Sequence, residues 1–239
     1  MSDQPVAIVT GAGSGIGRET ARLLAEAGCA LVLVGRRLET LEETAALLPE
    51  GAASIGVAID ITEPDAAGEV VDSALERFGR VDVLVNNAGD APLAGIADTT
   101  REMLEAVFAV NAIAPGELIA AAWPRLVERK GGCIVNVSTL GTADPFPGFF
   151  AYAGAKASVN LFAKSCAKEG KPHGIRAFAV APGAVETAML RKNFPESRVP
   201  KAACLQPVDV ARVIADCIAG KYDDRNGDTL FATAQTGVR

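Results

Sequence analysis

Histidine is almost absent from this 239-residue chain, which carries one, His173, in the stretch Pro172-His173-Gly174. A single imidazole cannot build a histidine-rich metal site and leaves nothing in reserve for a serine-hydrolase triad, so His173 reads as a loop residue. The five cysteines, Cys29, Cys133, Cys166, Cys204 and Cys217, are scattered without a C-x-x-C pair. Neither a disulfide framework nor a metal site is expected, and most of these thiols lie among apolar neighbours as small hydrophobes. Positive charge is short as well: 23 Lys and Arg against 29 Asp and Glu give a formal charge of -6, which offers no electrostatic footprint for nucleic acid.

No 18 apolar residues run together, so no membrane partner is expected. The start, Met1-Ser2-Asp3-Gln4-Pro5, lacks the basic region of a secretory signal, and the end, Gln235-Thr236-Gly237-Val238-Arg239, carries no lipidation or retrieval signal. The expected address is cytoplasmic.

What is present is 49% apolar residues and 22% charged ones, the composition of a folded domain and not of a solvating tail. Short β-branched runs alternate with longer segments of helical period. Strands are predicted at 6–9, 30–34, 54–59, 81–85, 133–137 and 176–180, and helices at 16–27, 38–48, 66–78, 101–114, 116–128 and 151–169. The strands read as nearly unbroken apolar runs, as burial on both faces requires. With a last strand near 227–232, this predicts a single α/β domain over 1–239: a Rossmann-type, doubly wound parallel sheet of about seven strands with helices on both faces. A closed barrel satisfies the alternation too, but a glycine cluster directly after the first strand points to a ligand at the edge of an open sheet. Only 187–205, with Pro195, Pro200 and mixed charge, is irregular, and it is expected to form a mobile substrate loop.

The glycine cluster is Thr10-Gly11-Ala12-Gly13-Ser14-Gly15-Ile16-Gly17. Four glycines in a strand-to-helix turn let the backbone approach a pyrophosphate, while the helix start presents free N–H groups to it. Ile16 breaks the G-x-G-x-x-G spacing. After the second strand, where a carboxylate would accept the ribose hydroxyls of NAD, stands Val34-Gly35-Arg36-Arg37. A guanidinium there suits the additional 2′-phosphate of NADP, and basic charge is otherwise unhelpful at a helix start.

The strongest signal is Tyr152-Ala153-Gly154-Ala155-Lys156 at the start of the helix that follows the fifth strand. Four residues of separation put phenol and ammonium on one helix face, where the lysine is able to stabilise a phenolate. Lowering a tyrosine pKa from about 10 by ~2–3 units takes roughly 3–4 kcal/mol, which a lysine together with a cationic nicotinamide supplies in a shielded site.

With these elements in order, and with Asn86-Asn87-Ala88-Gly89, Asn111, Ser138-Thr139 and Pro182-Gly183-Ala184-Val185-Glu186-Thr187 between and after them, the chain resembles the short-chain dehydrogenase/reductase family over essentially its full length. The resemblance implies an oxidoreductase that moves hydride between a nicotinamide and a carbonyl or secondary alcohol. It implies Tyr152 as acid or base, Lys156 as the residue that lowers its pKa and holds the nicotinamide ribose, and Asn111 as a residue that helps retain a water in the proton relay to that lysine. Gly11, Ser14, Gly15, Ile16 and Gly17 would line the pyrophosphate and Arg36 the adenosine phosphate. Asp60 and Ile61 would flank the adenine, Asn87, Ala88 and Gly89 the ribose, and Pro182, Gly183, Val185 and Thr187 the nicotinamide.

Two departures stand out. The carbonyl-polarising hydroxyl is a serine in the family, 13 residues before the tyrosine; here that position is Thr139, with Ser138 one place earlier, and both remain candidates. The usual ending after the last strand is missing at Gly227-Asp228-Thr229-Leu230-Phe231-Ala232, which weakens the alternative of a 3-oxoacyl-carrier-protein reductase. A non-catalytic dinucleotide-binding regulatory module is a further alternative, disfavoured by the intact Asn111, Tyr152 and Lys156. NADP is the expected cofactor, with NAD possible, and a small ketone or alcohol the expected substrate. The Asp144-Pro145-Phe146-Pro147-Gly148-Phe149-Phe150 loop walls either an apolar pocket or a subunit contact, and the helices 101–128 and 151–169, with Ala-rich faces that include Ala120-Ala121-Ala122, resemble the family's oligomer-forming pair, implying a homodimer or homotetramer.

Overall fold

The structure, a computed structural model, describes residues 4–234 and 237–238. The terminal positions 1–3, 235, 236 and 239, on which part of the expectation about targeting signals falls, lie outside the described residues. Eight strands form one sheet: β1 (Val6–Thr10), β2 (Ala30–Gly35), β3 (Ser54–Ala58), β4 (Val83–Asn86), β5 (Gly132–Val137), β6 (Ile175–Pro182), β7 (Thr229–Thr233) and β8 (Gly237–Val238). Their spatial order is β3-β2-β1-β4-β5-β6-β7-β8. Seven run parallel as expected, and the two-residue β8 adds an antiparallel edge, Ala232 opposite Val238, that is too short to show a period in sequence. The order reverses between β1 and β4, and at such a switch point the strand ends splay and leave a crevice.

The helices are α1 (Gly15–Glu26), α2 (Leu38–Ala45), α3 (Ala66–Phe78), α4 (Arg101–Phe108), α5 (Ala114–Arg129), α6 (Phe150–Gly170), α7 (Ala188–Asn193) and α8 (Pro207–Ile218). On one sheet face Ile8, Val32, Leu84 and Ile134 pack with Val70 of α3, Leu118 and Leu126 of α5 and Ala163 of α6. On the other, Val9, Leu33, Val85 and Val135 pack with Leu24 of α1, Leu41 of α2 and Ile214 of α8. Successive strand residues therefore enter opposite cores, which is why the strands carry no polar alternation. The edge strands β3 and β8 have no buried residue among those described.

Two corrections concern helices. The segments 101–114 and 116–128 are one continuous helical run, because the turn Ala109–Ile113 closes as a π-helix and absorbs the extra residue that breaks the 3.6 period. By length and mean hydropathy this run, Arg101–Arg129, is able to cross a bilayer. Its Leu118, Ile119, Ala122 and Leu126 are instead packed in the core beneath the sheet. The second correction is the irregular segment: 187–205 carries α7 and a 3-10 turn Lys201–Ala203, and it is stitched at its end by a bridge between Val185 and Leu205. His173 closes a 3-10 turn ahead of Gly174, whose φ is +69°, in agreement with its reading as a loop residue.

Candidate active site

A cleft of about 1380 Å³ opens over the switch point, at the carboxyl ends of the strands. Its floor is the glycine turn between β1 and α1. Gly11 and Gly15 adopt φ of +64° and +54°, which L side chains avoid. A Cβ on Gly11 would stand 2.8 Å from Asn87 Nδ2, and one on Gly17 would strike the Gly11 carbonyl oxygen. The turn is thus pressed onto the end of β4, where Asn87 Nδ2 donates to Thr10 O at 2.8 Å and the Thr10 hydroxyl accepts from the backbone N–H groups of Asn87 and Ala88 at 2.9 and 3.0 Å. Ser14, the N-cap of α1, makes no side-chain capping bond, and the first turn holds no acid. Free N–H groups and bare glycines at one helix start fit a pyrophosphate.

Ser14, Gly15 and Ile16 line the cleft, whereas Gly17 lies beneath it as a packing contact. Further along the same wall stand Arg36, exposed after β2, and Asp60 and Ile61 after β3. The Asp60 carboxylate accepts from the Thr62 amide and hydroxyl at 3.0 and 2.8 Å. These bonds, and the nearby Arg36 charge, hold its pKa below the usual carboxylate value. Across the cleft are Pro182, Gly183 and Val185 at the end of β6, with Thr187 as the N-cap of α7, accepting from Leu190 N at 3.2 Å.

Tyr152 and Lys156 lie where β4, β5 and α6 meet. Tyr152 sits in the first turn of α6 and Lys156 one turn on, its Nζ 5.9 Å from the phenol ring centre. Lys156 is 3% exposed, and its Nζ donates to the Val137 carbonyl of β5 at 2.8 Å. Burial lowers its pKa to about 8, because the charged form loses its hydration. Burial, aided by the Asp90 charge, pushes the Tyr152 phenol up to about 12. The expected lowering of the phenol rests on the lysine together with a cationic nicotinamide; within the polypeptide alone, desolvation raises it, and the Lys156 ammonium is turned toward Val137.

Asn111 lies in the π-turn, buried behind Gly89 and outside the cleft lining. Its Nδ2 donates to Asp90 O and Val107 O at 2.8 and 2.9 Å, while its Oδ1 is buried without a partner. A Cβ on Gly89 would meet that Oδ1 at 2.6 Å and Lys156 Nζ at 3.4 Å, so glycine keeps the amide and the ammonium close. The two adjacent hydroxyls separate. Ser138 is buried and donates to Lys156 O at 3.4 Å, whereas Thr139 is half-buried on the cleft wall and accepts from Gly141 N at 3.2 Å.

Several pairings carried no sequence signal. Asn86 Nδ2 donates to Asn136 Oδ1 at 3.0 Å, and Asn136 Nδ2 donates to Val159 O at 3.0 Å, pinning α6 to the middle of the sheet. The Phe stretch divides: Phe146 and Phe149 line the cleft, Phe149 meeting the Tyr152 ring at 5.5 Å with the planes tilted by 57°, while Phe150 lies outside the lining, half-exposed. Phe194, beyond α7, meets Phe149 edge-on at 5.8 Å. The pairings of 86 with 136 and of 149 with 194 exist only once the sheet has formed.

A family model described as short chain dehydrogenase matches residues 5–198. A short chain dehydrogenase of Pseudocercospora fijiensis is 38% identical over 188 residues, covering 77% of this chain and 60% of that relative's length. The 3-oxoacyl-acyl-carrier-protein reductase of Thermotoga maritima is 37% identical over 220 residues, 87% of this chain and 88% of its own. The crystal structure of levodione reductase superposes with a TM-score of 0.90 at 26% identity, covering 96% of both chains. The glycine turn, the cleft at the switch point and the matched length agree, and the chain belongs to the short-chain dehydrogenase/reductase family of oxidoreductases that work with NAD(P).

Proposed function

We propose that the protein reduces a small-molecule carbonyl to a secondary alcohol, with NADPH preferred over NADH and Tyr152 as the proton donor. The observation that carries this reading is the pair on α6: Tyr152 stands partly exposed on the cleft wall with the buried Lys156 behind it, one turn apart. Bound in the cleft, the reduced dinucleotide would supply the hydride, its nicotinamide ring becoming cationic only as the hydride leaves. The residues do the rest. Tyr152 donates its proton to the carbonyl oxygen, and Thr139 donates a hydrogen bond to the same oxygen. Thr139 suits that role because its lone pair is taken by Gly141 N while its proton is left for the cleft; Ser138 is turned to the Lys156 carbonyl and acts as a positioning residue. Lys156 would hold the nicotinamide ribose, and Asn111, through its unpartnered Oδ1, would take part in the proton relay.

Arg36 supports the choice of NADP, since no carboxylate occupies the end of β2 to repel a 2′-phosphate. A stripe on α6, comprising Phe150, Gly154, Ala157 and Leu161, is exposed beside Ile113 and supports assembly into a homodimer or homotetramer at a cytoplasmic address. Ala122 is buried and takes no part in that face. The test is a panel of ketones, aldehydes and 3-oxoacyl thioesters followed by NADPH absorbance. One or more substrates are expected to be reduced, and a panel without turnover by folded, NADPH-binding protein would leave the regulatory reading in its place.

A further inference from the structure

Resting on the reductase reading, we propose that the substrate carries its reacting carbon at one end of an apolar body and an anionic group, carboxylate or phosphate, at the other, and that Arg198 recognises the anion. The wall of the cleft beside Tyr152 is a ladder of rings. Tyr152 meets Phe149 at 5.5 Å between centres, Phe149 meets Phe194 at 5.8 Å, and the Arg198 guanidinium lies 5.3 Å from the Phe194 ring centre. Tyr152, Phe149, Phe194 and Arg198 all line the one cleft. The ladder therefore runs from the reacting group, over apolar surface, to a cation.

The ladder is held in place. Phe194 is 7% exposed, and its carbonyl accepts from Arg191, which is also bound to Glu186 and to the Val199 carbonyl. The neighbouring Asn193 Nδ2 donates across the cleft to Ala91 O at 2.7 Å. Arg198 N donates to Pro195 O at 2.9 Å, a turn that brings its side chain back over the ring.

Arg198 also differs from the other cations of this segment. Arg191 is neutralised by Glu186, and Lys192 faces Asp90 at 3.8 Å. Arg198 is exposed and forms no ion pair among the described residues. A guanidinium stacked on a ring keeps its N–H edge for a planar oxyanion, and the ring limits the entropy lost on binding. Lys192 offsets Asp90, the carboxylate an anionic substrate would meet near Tyr152.

The test compares 5-oxohexanoate, 7-oxooctanoate and 9-oxodecanoate with their methyl esters as substrates of the NADPH-loaded enzyme, with 6-oxoheptyl phosphate to separate phosphate from carboxylate recognition. At the best chain length kcat/KM for an anion should exceed that for its neutral partner by about fivefold, and the preference should shrink with added salt. Arg198→Met should remove the preference and leave turnover of the esters unchanged. Equal use of acids and esters at every length, or a preference that survives in Arg198→Met, overturns the proposal while leaving the reductase reading intact. Calorimetric binding of the keto acids to Tyr152→Phe, abolished by adding Arg198→Met, supports Arg198 recognition independently of turnover. Keto acids that neither bind nor turn over overturn the proposal, while the reductase reading stands or falls on the wider carbonyl panel.

Discussion

Lys156 Nζ donates to the carbonyl of Val137 at 2.8 Å and not to the phenol of Tyr152. Strand β5 therefore sets the height of the ammonium in the site, and its charge is available to whatever binds above it. Burial, with the Asp90 charge, keeps the phenol protonated, the form that a proton donor for carbonyl reduction requires.

The buried ammonium has a pH signature. A lysine whose folded pKa is about 8, against 10.5 in the unfolded chain, favours the native state fully only above pH 10.5, and that contribution is lost as pH falls through 8. Relative to Lys156→Met, the wild type should gain on the order of 3 kcal/mol of unfolding free energy between pH 7 and 10.5. Urea melts of the two proteins at matched pH measure this, and parallel stability curves would contradict the burial argument.

Gly89→Ala places a methyl 2.6 Å from the buried Asn111 Oδ1. Asn111 is held by Asp90 O and Val107 O and has little room to move. The variant should lose about 1–3 kcal/mol of stability and most of its turnover, as read by denaturant melts and steady-state rates. A fully active, equally stable variant would show that the amide and Lys156 need not be close.

Asn136→Leu removes the 3.0 Å acceptor of the Asn86 amide, which keeps only a 3.4 Å contact to Pro115 O, and removes the side-chain donor to the Val159 carbonyl of α6. A loss of about 1–3 kcal/mol is expected. The double variant with Asn86→Leu should cost less than the sum of the singles, as expected of groups in one network. Additive losses in a double-mutant cycle would mean that the pair does not act as a unit.

Arg36→Ala should weaken NADPH binding about tenfold or more, the range for one charge-assisted contact to a phosphate, with NADH binding little changed. Fluorescence titration with each dinucleotide gives both constants, and equal effects on the two would remove Arg36 from the 2′-phosphate site.

The parts of this site that sequence made legible are those set by local spacing. Tyr152 and Lys156 are one helical turn apart in any helix, and the four glycines lie within one strand-to-helix turn. The apolar strands announced a sheet covered on both faces because nothing polar interrupts them. What stayed hidden depends on contacts between distant segments. The π-turn at Asn111 leaves no mark because its one extra residue is apolar on both sides, and the two predicted helices fuse across it. The 187–205 segment looked irregular because its order comes from Arg191 gathering Glu186, Phe194 and Val199, bonds that have no sequence period. Ser138 and Thr139 are equivalent as letters, and only the direction of each side chain at the end of β5 separates them.

The central claim is that Tyr152 supplies the proton for carbonyl reduction. The most direct measurement is NADPH oxidation by Tyr152→Phe on the best substrate of the wild type, with NADPH affinity measured on the same preparation. The expected result is a fall in kcat of ~10²–10⁴-fold with the NADPH dissociation constant within a few-fold of wild type; unchanged kcat would contradict the assignment of Tyr152 as the proton donor.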